Sequence, residues 1–392
     1  MTNNNYRTKL FCIVTSLYWF SFYTYAPNLS AYAKSLGASY KMIGLVVGSY
    51  GLVQMLLRIP LGIFSDTLNK RKVFIVIGIG FSLVGSLGMW CFHSVKMLII
   101  FRALSGVGAA AWVLFTVLFS SYYEGNDAPK AIGVINSYNF AGQLVAVLIG
   151  SIAAQYFGLQ AAFLVASVGA LIAMILSLGL VEKKEINPKS LKWADLLGVV
   201  KDPNLLRVSA LAIFNQFLSY ATVYGFTPVV ASNIGASSFE IGMLVMISTF
   251  PRIFSSYISG TYCIKYFGER TTLIGGFLIA AAASVVTPYV NNIYVLYFTQ
   301  LIAGLGIGLV LPLLMGLSIK DVQVEKRATA MGFFQAVYAL GMFLGPLVTG
   351  VLSDAVGLVW GFWATGVVGV IGAIAVYFMI RSEAEKAISI RT

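Results

Sequence analysis

The sequence predicts an all-α integral membrane protein of twelve transmembrane helices, arranged as two six-helix bundles, and three observations predict it. Hydrophobic residues make up 59% of the 392 and charged residues only 10%, with a mean hydropathy of +0.86. A water-soluble domain carries about 25% charged residues. The apolar residues gather into twelve continuous runs, each of about the 20 residues that a helix needs to cross a bilayer. Continuous rather than alternating hydrophobicity selects helices over barrel strands. The chain also repeats itself: Gly37-Ala-Ser39…Ile43-Gly44 returns as Gly235-Ala-Ser237…Ile241-Gly242, an offset of 198 (235 − 37), and Gly106-Val-Gly108 returns as Gly304-Leu-Gly306 at the same offset. Six crossings per copy leave the copies in one orientation, related by a pseudo-twofold axis along the membrane normal with a cavity between them.

The runs fall near residues 9–32, 41–64, 73–92, 97–121, 131–153, 160–181, 207–231, 239–262, 271–290, 293–318, 329–352 and 359–380. Span 1 is crowded with Tyr18, Trp19, Phe22, Tyr23 and Tyr25. Span 2 sets Tyr50, Gln54 and Arg58 at i, i+4 and i+8, one polar stripe on a helix otherwise of hydrocarbon. It leaves the membrane at Gly62 through a turn holding Asp66, Asn69, Lys70, Arg71 and Lys72. Span 4 carries Arg102 and then Ser105, Gly106, Gly108 and Ala110, small residues that admit a close neighbour. Span 5 lines one face with Asn136, Asn139 and Gln143. After span 6 the longest hydrophilic stretch, Glu182 to Asn204, divides the chain into a first half, 1–181, a linker, 182–206, and a second half with a short tail, 207–392. Span 7 is marked by Asn215, Gln216, Ser219, Tyr220 and Tyr224. In span 8 the repeat carries Tyr50, Gln54 and Arg58 onto Ser248, Arg252 and Ser256, a second stripe with an arginine of its own. Spans 10 and 11 add Gln300, Gln335 and Tyr338.

Charge gives an orientation. With the N-terminus inside, twenty of the 26 Lys and Arg face the cytoplasm, Lys34, Lys41 and Lys96 face outward, and Arg58, Arg102 and Arg252 remain within spans. The asymmetry predicts a multi-pass protein of the plasma membrane with both termini cytoplasmic. The net charge of +12 is thereby read as orientation rather than affinity for nucleic acid. Cys12, Cys91 and Cys263 are odd in number and far apart, and the lone His93 sits in a short loop, so neither a disulfide framework nor a metal site is expected. The first run, Leu10 to Ala26, lacks the strongly basic start of a cleavable signal and leads straight into a repeat unit. No nucleotide loop, metal cluster or nucleophile with a base suggests an enzyme or a cofactor.

The turn Gly62…Asp66…Asn69-Lys70-Arg71 resembles the signature loop between spans 2 and 3 of the major facilitator superfamily, G-x-x-x-D-x-x-G-[RK]-[RK]. Asn69 stands where that family has Gly, and Asn also tolerates positive φ. Leu98-x-x-x-Arg102-x-x-Ser105-Gly106-x-Gly108-Ala-Ala110 resembles the family's span-4 motif, with Ser105 in place of Gln. The resemblance covers essentially the whole chain and implies a monomeric alternating-access transporter in a lipid bilayer. It further implies a cytoplasmic gate in which Asp66 lies against the N-terminus of span 11, with Thr329 as a cap, and Lys70 or Arg71 ties Asp66 to Glu124 or Asp127. Span 5 lacks the family antiporters' Gly-Pro, whereas span 11 carries Gly341-x-x-x-Gly345-Pro346.

None of the fourteen Asp and Glu falls mid-span; Glu240 and Asp354 lie at outer ends and the rest in cytoplasmic segments. A buried guanidinium is costly without a partner or water. The missing countercharge is therefore read as the substrate, since an arginine fork suits carboxylate, phosphate or nitrate oxygens. The expected lining is Arg58 and Arg252 with Tyr18, Trp19, Tyr50, Gln54, Asn136, Asn139, Gln216, Tyr220, Gln335 and Tyr338, while Arg102 is assigned a coupling or structural role. The plainer alternative is that the arginines bond backbone carbonyls or snorkel and the amides bond neighbouring helices. An arginine and aromatic pocket resembles the oxalate/formate antiporters, and Arg58-Ile-Pro60-Leu-Gly62 is similar to the nitrate porters, whose Gly-rich signature is absent. The expected function is secondary active transport of a small organic anion or anionic metabolite, with H+ or a counter-anion as coupling partner. A proton-coupled exporter of drugs or metabolites is the runner-up, and it lacks a mid-membrane carboxylate to carry the proton. A lipid flippase or a transport-dead sensor, of a different class, needs a lateral opening or a soluble appendage.

Overall fold

The computed structural model describes residues 2–68, 70–123, 128–182, 198, 201–258, 262–320, 322–323 and 326–380. Among them the helices follow one another as twelve rods. The first half comprises Thr2–Tyr23 continued by Leu29–Ser35, Tyr40–Leu68, Arg71–Cys91, Val95–Ala110 continued by Trp112–Ser120, Ala128–Phe157, and Ala161–Ser177. The second comprises Pro203–Ala221 continued through a π-turn to Thr227–Asn233, then Ser238–Ile258, Ile264–Val286, Ile293–Lys320, Arg327–Val356 and Leu358–Met379. Eight of these are long and apolar enough to cross a membrane by themselves. Span 6 is a shorter apolar helix, and spans 1, 7 and 8 carry breaks or polar stripes. Most of the expected linker lies outside the described residues. Span 7 starts four residues before its expected position, because Asp202 caps it: its Oδ1 accepts from the Asn204 and Leu205 amides at 2.8 and 3.3 Å, and Pro203 opens the first turn where no amide is needed.

The two breaks are related by the repeat. Span 1 is interrupted between Tyr23 and Leu29, around Pro27, and the offset places this gap on Ala221–Thr227, where span 7 makes its π-turn ahead of Pro228. Within the first half the core is aromatic. Tyr18 stacks on Phe115 with centroids 4.4 Å apart, and Phe11 meets Phe115, Phe119 and Tyr122. The lipid-facing side chains, such as Ile77 and Val84 of span 3, Ile175 of span 6, Leu278 of span 9 and Phe378 of span 12, are exposed in the isolated chain. In bilayer these positions are solvated by acyl chains.

Spans 2 and 11 form the main seam between the halves. Gly44, Gly48 and Gly51 lie against Pro346, Phe343 and Met342, and Gly350 lies against Tyr40. At Gly44 a Cβ would collide with the Pro346 carbonyl, so the helices meet backbone to backbone. The hydrogen bonds between described residues that join the halves are gathered toward one end. They include Asp354 to the Tyr40 and Lys41 amides and the Ser39 side chain, Lys34 to Asn233, Ser30 to Tyr224, and Gln155 to Phe239, with Tyr23 to Tyr224 and Arg58 to Gln335 deeper in the interface. The molecule is thus closed at its Asp354 end.

Candidate functional site

At the level of the helix breaks the halves enclose a small chamber lined by Phe22, Tyr23, Ala26, Tyr50 and Arg102 from the first half and Tyr220 and Tyr224 from the second. Its volume of about 10 Å³ admits about one water. The π-turn of span 7 brings Tyr220 and Tyr224 together, with centroids 5.2 Å apart, and sets Tyr224 edge-on to Tyr23 at 6.0 Å. Such turns insert one residue into the helical ladder and re-aim side chains, and they concentrate at functional sites. Gly225 belongs to this device, because a Cβ there would lie 2.6 Å from the Tyr220 carbonyl.

Arg102 enters the chamber from span 4 and is 5% exposed. Its Nη1 donates to the Tyr25 hydroxyl at 2.9 Å, which in turn donates to Ser105 Oγ at 3.2 Å. Its Cζ lies 4.1 Å from the Tyr50 ring centroid and 5.3 Å from that of Tyr25. Two ring faces therefore supply the negative potential that a carboxylate would otherwise provide. Nε has no partner.

Arg58 lies two helical turns along span 2 from Tyr50. Its Nη2 donates to Gln54 Oε1 at 2.6 Å, and its Nη1 crosses to the Gln335 carbonyl at 3.2 Å. The Tyr338 ring centroid is 5.9 Å from its Cζ, while Nε and Gln335 Oε1 are buried and unpartnered. Arg252 bonds Ser219 Oγ at 3.2 Å and Ser248 Oγ at 3.4 Å, and its Nε is likewise unpartnered. Among the described residues every acceptor of these three arginines is neutral, and none is a carboxylate.

Of the residues expected to line the site, Tyr50 and Tyr220 meet in the chamber beside Arg102, and Arg58, Gln54, Gln335 and Tyr338 meet in the adjoining seam. Arg252 stands apart, bonded only within the second half. The Tyr18 hydroxyl is committed to the Gly108 carbonyl at 2.7 Å inside the first half, and Trp19 packs edge-on against Trp112. Asn139 Oδ1 accepts from Gln143 Nε2 at 2.5 Å along span 5; Asn136 is half-buried one turn away, and Gln216 is buried in span 7. The sequence suits Tyr23, Tyr25 and Tyr224 to a cavity lining without placing them in the substrate-binding set, and it assigns Arg102 a coupling or structural role instead. Among the described residues no group of three His, Cys, Asp or Glu is arranged to hold a metal.

At the opposite end Asp66 lies in the last turns of span 2 and Gly62 stands in open space. The Asp66 side chain, Glu124 and Asp127 lie outside the described residues. The acid found at the start of span 3 is Glu182, whose two oxygens accept from the Arg71 and Lys72 amides at 2.5 and 3.2 Å, while Lys70 is exposed. Thr329 is not a cap: span 11 begins at Arg327, so Thr329 falls inside its first turn, and Lys326 at the N-cap position makes no side-chain bond.

Two six-helix halves in pseudo-twofold relation, closed at one end over a charged chamber, define a multi-pass membrane transporter. The chain belongs to the Major Facilitator Superfamily, whose sequence profile matches residues 11–230 and 209–391. It is 25% identical over 370 residues to an uncharacterized MFS-type transporter of Methanocaldococcus jannaschii, covering 91% of this chain and 93% of that one. It is 23% identical over 372 residues to the synaptic vesicular amine transporter of Mus musculus, covering 93% of this chain and 71% of that one. Among solved structures, a bacterial homolog of the human lysosomal transporter Spinster superposes with a TM-score of 0.80 at 17% identity over 97% of both chains. The nucleoside transporter NupG superposes with a TM-score of 0.79 at 14% identity, over 96% of this chain and 100% of that one. Both share its fold.

Proposed function

We propose that the protein is a secondary active transporter of a small organic anion, bound in the plane between the halves by Arg102 and the surrounding tyrosines, with Arg58 at the edge of the site. The observation that carries this reading is that three guanidiniums lie within spans and none has a carboxylate partner among the described residues. A bound anion supplies the missing countercharge and uses Nε–H donors that otherwise have no partner. An amine, the cargo named for the mouse relative, would when protonated meet the opposite sign: repulsion from Arg102 and, among the described residues lining the chamber, no acid to receive it. The distribution of Lys and Arg supports an orientation with the Asp66 end and both termini in the cytoplasm, and with it we propose a plasma-membrane location. On that reading the contacts through Asp354 hold the outward side together. Lacking a mid-membrane carboxylate to cycle a proton, the site suits exchange of one anion for another.

The test uses purified protein. Mono- and dicarboxylates, inorganic phosphate and monoamines are screened for stabilisation against heat, since a ligand that binds only the folded state raises the melting temperature by mass action. Stabilisation by one or more anions, abolished in Arg102→Gln, is the expected result. In proteoliposomes at equal pH on both sides, unlabelled anion should then drive uptake of labelled anion. Stabilisation by amines and by no anion, or transport strictly requiring a pH gradient, would put the exporter reading first.

A further inference from the structure

The ends of two pseudo-equivalent helices reach across the interface to the starts of two others. Asp354, in the last turn of span 11, accepts from the Tyr40 amide through Oδ1 at 2.7 Å and from the Lys41 amide through Oδ2 at 2.9 Å. These are the first two residues of span 2, whose amides have no partner within their own helix. In the other pairing Gln155, near the end of span 5, accepts from the Phe239 amide at 3.3 Å in the first turn of span 8. The repeat maps Lys41 onto Phe239 at the offset of 198, and at the offset of 199 that relates spans 5 and 11 (Gly133 to Gly332, Gly142 to Gly341) it maps Gln155 onto Asp354, so one cross-half contact is built twice, with a carboxylate in one copy and an amide in the other.

What each helix does for itself explains the difference. Span 8 opens with a complete capping box: Ser237 Oγ accepts from the Glu240 amide at 3.3 Å and Glu240 accepts from the Ser237 amide at 2.7 Å. Span 2 has the serine of that box, Ser39, which accepts from the Met42 amide at 3.4 Å, but Met42 stands where the repeat has Glu240. The carboxylate missing from span 2's own sequence comes from the other half. An acid within the helix would cap it in every conformation, whereas Asp354 caps it only while the halves touch at this end.

We infer that Asp354 is a conformational latch: it caps span 2 from the opposite half, holds this end of the transporter closed, and must release each time this end opens. The outward direction of this end rests on the sidedness proposed above; the latch itself does not.

The experiment uses the full chain with Cys12, Cys91 and Cys263 replaced by Ser and Met342→Cys as reporter, a position buried in the seam against Gly51. A membrane-impermeant methanethiosulfonate is applied separately to each face of the membrane. From the outer face, Asp354→Ala should react about fivefold faster than its parent, the size of losing one charged cap. Asp354→Asn should fall between, because its amide oxygen still accepts without the charge, and Gln155→Ala should change little. Adding Met42→Glu to Asp354→Ala separates a latch from a mere cap. It rebuilds span 2's own capping box without rejoining the halves, so labelling should stay fast. Equal rates in parent and Asp354→Ala, or restoration of the slow rate by Met42→Glu, overturns the latch. If Asp354→Ala does not accumulate, Asp354→Asn is read instead by cross-linking of Lys34→Cys to Asn233→Cys, whose native side chains meet across the halves at this end, with a short bis-methanethiosulfonate; the latch requires the yield to fall and a passive contact leaves it unchanged. Acceleration seen only from the other face keeps the latch and reverses the proposed sidedness.

Discussion

The halves of this transporter share a scaffold and divide the chemistry. At the position that the repeat assigns to Arg102, the second half has Gln300, fully buried, with Nε2 donating to Thr287 Oγ1 at 3.2 Å. At the position of Arg58 it has Ser256. The first half therefore brings guanidiniums to the interface, and the second answers with phenols, Tyr220, Tyr224 and Tyr338, and with the Gln335 carbonyl. Duplication supplied two equivalent helices at each place, and the charge was kept in one. A second buried cation facing Arg102 would face mutual repulsion as well as desolvation, so a single-sided charge is the arrangement an interface closing around one anion permits.

The largest expected effect comes from forcing the halves to match. Gln300→Arg should lower stability by about 3–5 kcal/mol, the cost of a buried charge without a partner, read as a fall in melting temperature in detergent. Unchanged melting would mean that the second half already admits water or an anion at that depth. The reverse replacement, Arg102→Gln, should weaken anion binding about 100-fold, as expected for losing two charge-assisted hydrogen bonds, and Arg102→Lys should lose about tenfold because an ammonium cannot make the planar fork. Calorimetric titration separates the two, and equal affinities for Lys and Gln would reduce Arg102 to a structural role. Gln54→Leu removes the side-chain acceptor of Arg58 and should destabilise by about 2 kcal/mol; if the melting temperature holds, Arg58 is satisfied by water or ligand instead. The smallest effect belongs to Tyr50. Tyr50→Leu should weaken binding by about 1 kcal/mol, whereas Tyr50→Phe stays near wild type, because the ring face rather than the hydroxyl meets Arg102.

How much of this was legible in the sequence follows from the range of each interaction. The twelve spans and the duplication were legible because hydrophobic length and repeated glycines are local signals. The breaks in spans 1 and 7 were not read, although Pro27 and Pro228 lie at them, because the hydrophobic runs 9–32 and 207–231 pass through without interruption. The π-turn is not legible, since Thr222–Phe226 carries no residue pattern that distinguishes it from ordinary helix. Helical periodicity placed Tyr50, Gln54 and Arg58 on one face correctly, but it could not say what stands across from that face. Arg58 and Arg252 were consequently grouped as facing stripes, whereas Arg252 bonds Ser219 and Ser248 within its own half, and Arg102, set aside with its motif, lies in the chamber. Glu182 was likewise invisible as the partner of Arg71 and Lys72, because the contact spans more than a hundred residues. Thr329 failed as a cap because span 11 begins two residues earlier than its hydrophobic run.

The bare seam of Gly44, Gly48 and Gly51 bears on tempo rather than on which state is preferred. Interlocked large side chains would each have to leave one rotamer and find another as the helices part, adding a barrier at every step. Hydrogen has no rotamer. On the span 2 side of this contact there is nothing to unlock, and the main chain it presents is already hydrogen-bonded within its own helix. The halves can therefore separate by a smooth peel, with the end contacts deciding where the equilibrium lies and the glycines keeping the passage quick. Adding methyl groups along this line would coarsen that motion, so that turnover slows before affinity changes.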